Sequence, residues 1–179
     1  VGPVIGKELL SKALVAAVFV IIAILLYVAY AFRNFMFGIA AIASLVHDVL
    51  VMLGVFSLLG RFFGVEVDTL YVTAVLTTMS FSVHDTIVVF DRIRELGKRA
   101  HKLTFEERCD KALTETMNRS VVNSLTIIFM LLALILMGGV TVRWFVVALL
   151  IGTVSGTYSS PFVATPALIL ITKWRAKKK

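Results

Sequence analysis

The chain has 179 residues, of which 59% are hydrophobic and 16% charged, with a formal net charge of +7. Soluble domains run about 45–50% apolar and about 25% charged, so a water-soluble globule and a disordered chain are both excluded. A disulfide scaffold is excluded too, because Cys109 is the single cysteine. In a chain this apolar the basic excess orients loops beside a bilayer rather than binding nucleic acid.

Five apolar stretches are long enough to cross a membrane, which takes roughly 20 residues each. They lie at Ser11–Ala31, Met36–Leu59, Thr69–Phe90, Ser120–Gly138 and Trp144–Thr172. The pattern predicts an all-α, polytopic helix bundle. The first stretch is too long for a signal peptide and no small-residue cleavage site follows it. The last exceeds what a bilayer needs and contains Pro161 and Pro166, so a kink or tilt is expected there.

Between the third and fourth spans lies the one substantial polar segment, Asp91–Arg119. Its apolar positions Ile93, Leu96, Leu103, Phe105, Ala112 and Leu113 recur roughly at helical spacing, which predicts an amphipathic helical elbow lying along the inner surface. With the N-terminus outside, the inner side receives Arg33, this segment and the tail from Lys173. That places 14 Lys and Arg inside, against Lys7, Lys12, Arg61 and Arg143 outside. The positive-inside rule then puts the N-terminus out and the C-terminus in. Val1-Gly2-Pro3 is neither a translation start nor a signal, so a fragment with upstream spans and domains is expected.

Two carboxylates fall inside spans: Asp48 in the second and Asp85 in the third. Each costs about 2.5–3.5 kcal/mol to insert at the bilayer centre, so each needs a compensating environment. Each follows a histidine, as His47-Asp48 and His84-Asp85. Residues three and seven positions before Asp85 share its helix face, which places Ser82 and Thr78 above it. A carboxyl with hydroxyls along one face is what a proton path through a bundle requires. The plain alternative is an acid that caps a helix or pairs permanently with a base. His47 and His84 are candidate relay groups, or simply neutral interfacial imidazoles. No Cys/His spacing typical of zinc accompanies them.

Arg119 enters the fourth span as the natural counter-charge: near Asp85 it would hold the acid ionised, and on moving away it would let the acid take a proton. A positive-inside anchor is the other reading of the same residue. In the last span Gly152, Gly156 and Ser160 form a small-xxx-small face suited to close helix contact.

These motifs resemble the SecD/SecF family, on its SecF side. Val1-Gly2-Pro3 is similar to the family's element at the entry to its second helix, and Leu45-Val46-His47-Asp48-Val49 to its third-helix motif. The run Phe81–Glu95, FSVHDTIVVFDRIRE, resembles the family's most diagnostic segment. Met117-Asn118-Arg119-Ser120 and Gly156-Thr157-Tyr158-Ser159-Ser160 are similar to the starts of the fifth helix and the sixth-helix motif. His84 stands where the family commonly has asparagine. The family's first helix and extracytoplasmic domain would precede Val1.

The resemblance implies half of a bundle like that of resistance-nodulation-division (RND) transporters. Such a half pairs with SecD beside the SecYEG channel, with YajC, in the bacterial cytoplasmic (inner) membrane. It also implies use of the proton gradient to help move unfolded exported polypeptide, with protons as coupling ion, no other cofactor and no enzyme activity. Asp85 matches the family's intramembrane acid and Arg119 its basic partner. Two other functions stand beside this one. A small-molecule efflux pump of the same superfamily would carry much larger extracytoplasmic porter domains than these short loops. A structural membrane subunit without ion flux requires Asp85 to be dispensable.

Overall fold

A computed structural model describes residues 3–32, 34–99 and 103–177, and within these every regular element is helical. Val1 and Gly2 of the N-terminal motif, and Arg33, lie outside the described residues. The elements are α1 (Pro3–Phe32), α2 (Phe35–Phe63), α3 (Thr69–Arg99), α4 (Phe105–Met137), α5 (Val140–Ser159) and α6 (Thr165–Lys177). A π-helical turn over Ser160–Ala164 joins the last two. Taking Val140–Lys177 as one unit, five segments are long and apolar enough to cross a membrane.

Local chemistry sets the ends. The Asn34 side chain caps α2 by accepting from the backbone N–H of Met36 at 3.1 Å. Gly64, at φ +66°, closes that helix in the left-handed region, where only glycine is unstrained. Asp68 accepts from the N–H of Tyr71 at 2.8 Å as α3 begins. Thr104 and Glu107 cap α4 reciprocally, the Thr104 N–H donating to Glu107 at 2.7 Å.

The Asp91–Arg119 segment is helical but not a helix of its own. α3 runs on through Arg99 and α4 starts at Phe105, so the polar segment is the continuation of the two spans. The reason is packing. The apolar face predicted for a lipid surface is instead buried between the two extensions and their neighbours, where Phe90, Ile93 and Leu96 cluster with Cys109, Ala112, Phe32 and Leu168. Arg92 bridges the hairpin, donating to Glu95 on its own helix and to Glu115 of α4 at 2.5 Å. Lys173 of α6 pairs with Glu106 of α4 at 2.7 Å.

Pro161 is accommodated by a specific device. Pro161 has no N–H and clashes with the preceding turn of an α-helix, and here the helix widens into the π turn rather than breaking. The widened turn is held by Thr165, whose hydroxyl donates to the Ser160 carbonyl at 3.2 Å.

Large apolar side chains cover the outside: Phe19, Phe62 and Phe129 are 66–72% exposed, and Leu136 and Met137 more than 80%. In water such a surface is an aggregation liability, whereas in lipid it costs nothing. Inside, an apolar cluster around Phe90 occupies one end and a second, around Met52, Phe56 and Tyr71, the other. Between them lies a polar layer.

Candidate functional site

α3 and α5 approach closely because α5 presents glycine where α3 crosses. A Cβ on Gly152 would run into the Thr78 side chain, and one on Gly156 would lie 3.1 Å from the Ser82 Cβ. The small-residue face of the last span is therefore a packing surface against α3. This close approach brings the hydroxyls of both helices to the bundle axis.

Asp48 of α2 is the centre of that layer. It is 4% exposed. Its Oδ2 accepts from Ser82 of α3 at 2.5 Å and from Ser159 of α5 at 2.7 Å. Its Oδ1 accepts from Ser155 of α5 at 2.7 Å and lies 3.1 Å from His47 Nδ1. Ser155 and Ser159 are one turn apart and so share a face. Three helices thus converge on one carboxylate whose oxygens accept from three serine hydroxyls. The last span's hydroxyls read from sequence as candidate contributors to the polar core, Ser159 within the Gly156–Ser160 motif; Ser155 and Ser159 join that core as donors to Asp48. Their signal was a hydroxyl pair at helical spacing beside two glycines, legible only once α5 is known to face α2.

Asp85 sits differently. Ser120 of α4 donates to its Oδ1 at 2.9 Å, while its Oδ2 is buried with no hydrogen-bond partner among the described residues. It lines a cavity of about 240 Å3 shared with His84, Val88, Arg119, Ser120 and Asn123. Arg119 is exposed and makes no ion pair with Asp85 within 4 Å among the described residues. It also lines a larger crevice of about 640 Å3 between α1, α3 and α4, with Tyr27, Arg94 and Glu115 among its walls. The counter-charge is thus beside the acid but not locked to it.

The stripe expected above Asp85 splits. Ser82 serves Asp48 rather than Asp85, and Thr78 donates to the Val75 carbonyl at 2.9 Å and contacts Met52 Sδ at 3.0 Å. Neighbours about 60° apart on one helix meet different helices. Ser82 turns toward α2 and α5, Asp85 toward α4. His47 is half-buried against Asp48, its ring 5.8 Å from that of Tyr158, whereas His84 is exposed beside Asp85. Further hydroxyl pairs knit the layer: Thr157 with Ser124 at 2.6 Å and Thr86 with Ser160 at 3.0 Å. Among the described residues no group of three or more His, Cys, Asp and Glu is placed to hold a metal.

Comparison with known proteins places this arrangement in context. Residues 1–174 match the family described as protein export membrane protein SecD/SecF, C-terminal. The protein translocase subunit SecF of Thermobaculum terrenum is 51% identical over 181 residues, covering 99% of this chain and 56% of that protein. The SecF of Anaerolinea thermophila is 43% identical, covering 95% and 57%. A crystal structure of SecDF in a super-membrane-facing form superposes with a TM-score of 0.87 at 35% identity, over 99% of this chain and 23% of that one. The chain therefore spans little more than half the length of the SecF relatives it matches.

Proposed function

We propose that this chain, which belongs to the SecD/SecF family of protein-export membrane proteins, is the transmembrane part of a proton-driven subunit of the Sec export machinery. The chain is a multi-pass membrane protein. In this reading it lies in the bacterial cytoplasmic membrane, N-terminus out and C-terminus in, paired with SecD beside the SecYEG channel and YajC. Its cargo is unfolded exported polypeptide. Its coupling ion is the proton, and it needs no cofactor and catalyses no covalent chemistry.

The observation that carries the reading is Asp85: an intramembrane acid with one buried oxygen unpartnered, in a cavity it shares with an unpaired-to-it arginine. Intramembrane acids are costly and functional by default. An acid locked in a salt bridge cannot cycle, and an acid with no cation near it gains nothing from ionising. Asp85 and Arg119 stand between these limits. Ionised, Asp85 attracts Arg119 and draws α3 and α4 together; protonated, it releases them. One charge moved through 100 mV is worth about 2.3 kcal/mol, enough to shift a two-state equilibrium roughly 40-fold. The step must come from this difference between charge states, because a ligand shifts an equilibrium only by its differential affinity.

The test is proton-gradient-dependent completion of translocation in vesicles carrying the full complex. Asp85→Asn keeps the shape and removes the titration, so gradient-dependent completion should be lost while assembly with SecD persists. Wild-type rates in that variant would remove Asp85 from the mechanism and favour a structural subunit.

A further inference from the structure

Ser82, which donates to Asp48, lines a small cavity that Asp85 also lines. About 30 Å3 in volume, it lies between α3, α4 and α5, with Ser82, Asp85, Asn123, Ser124, Thr153 and Thr157 among its walls. A water needs roughly 10–15 Å3 of such space and two to four polar partners, and this cavity offers both. Asp85 lines it, and the Oδ2 of that residue is buried and lacks a partner among the described residues, a state that a polar group in a protein interior rarely keeps. On the far side Ser82 already donates to Asp48 at 2.5 Å.

We infer that this cavity is a water site and that its water joins Asp85 to Asp48 through the Ser82 hydroxyl, making the two acids one proton-relay unit. The inference deepens the proton-driven reading above and rests on it. The transfer balances. The Asp85 O–H bond breaks as its proton joins the water oxygen. One water O–H breaks as its proton joins Ser82 Oγ, and the Ser82 O–H breaks as its proton joins Asp48 Oδ2. Three O–H bonds break and three form, with a net transfer of one proton from Asp85 to Asp48. The last hop is pre-aligned, since the Ser82 hydroxyl already points at its acceptor.

The groups around each acid make the transfer consequential. Asp48 faces His47 on its own helix, Ser82 from α3, and Ser155 and Ser159 from α5, with Tyr158 packed on His47. Asp85 faces His84 on α3, and Arg119 and Ser120 on α4. A protonated Asp48 becomes a donor on one oxygen, so at least one serine loses its acceptor and the tie between α2 and its neighbours loosens. Asp48 thereby converts a proton received at the Asp85 cavity into a change in helix packing.

The experiment uses the full-length protein in complex with SecD. A structure at a resolution that shows ordered water should place one within hydrogen-bond distance of both Ser82 Oγ and Asp85 Oδ2. Infrared titration of the carboxylic C=O bands should give coupled midpoints. Asp48→Asn, and separately Ser82→Ala, should each move the midpoint of the Asp85 band, by about one pH unit or more for the charge removal. A cavity without water, or an Asp85 midpoint unchanged in both variants, overturns the relay. Neither readout involves export, so wild-type export by Asp85→Asn would count against the proton-driven reading and leave the relay to be judged by itself. The wild-type structure keeps the test decisive if a variant fails to assemble.

Discussion

Replacing Asp48 by alanine should destabilise the bundle far more than replacing Asp85, although Asp85 is the residue argued to drive function. The magnitude follows from the bonds each makes. Asp48 accepts from three serines on two neighbouring helices, while Asp85 accepts from Ser120 alone. Interhelical hydrogen bonds in membranes average about 0.6 kcal/mol and reach about 1.7. Asp48→Ala then costs about 2 kcal/mol, trimmed slightly because Ser159 has a fallback acceptor in the Gly156 carbonyl at 3.3 Å. Asp85→Ala costs about 0.6 kcal/mol on the same scale. The gap of roughly 1.4 kcal/mol is tenfold in the folding equilibrium. It is read by reversible unfolding of the full-length protein in detergent with increasing sodium dodecyl sulfate. If Asp85→Ala proves as destabilising as Asp48→Ala, the polar layer is not organised around Asp48 and the hub argument fails.

Gly152→Ala inserts a methyl where Thr78 already packs, and such overpacking typically costs about 1–3 kcal/mol; thermal denaturation should show the loss, with Thr78→Ser as a partial suppressor. Arg119→Lys keeps the charge and loses the planar fork, so gradient-dependent export should be reduced but not abolished. Lys177→Cys should react with a membrane-impermeant maleimide from the cytoplasmic side only, while the wild-type Cys109, fully buried, stays unlabelled until the protein is unfolded. Labelling of position 177 from outside would reverse the orientation.

Properties set by single segments were legible in the sequence. Burial of apolar surface in lipid is local to each stretch, so hydropathy alone indicated five long apolar helices, two acids within them and a proline-bearing stretch, the one that widens into a π turn. Small residues spaced a turn apart marked the α5 face that meets α3. The Asp91–Arg119 segment shows where this stops. Its amphipathic period was readable, but the same period serves a helix on a lipid surface and two helix extensions packed on each other, and only the partners decide. The acids show it more sharply. On a helical wheel Ser82 and Thr78 belong with Asp85, yet Ser82 bonds Asp48 and Thr78 bonds neither. A hydrogen bond between helices depends on which helix lies opposite and at what depth, and no one-dimensional spacing contains that. Asp48, half of a short His-Asp pair in sequence, becomes the hub because α5 happens to bring Ser155 and Ser159 to the same depth. Arg119, its charge evident from sequence, stays exposed because α4 places it on the outer wall of the cavity beside Asp85 rather than in the layer.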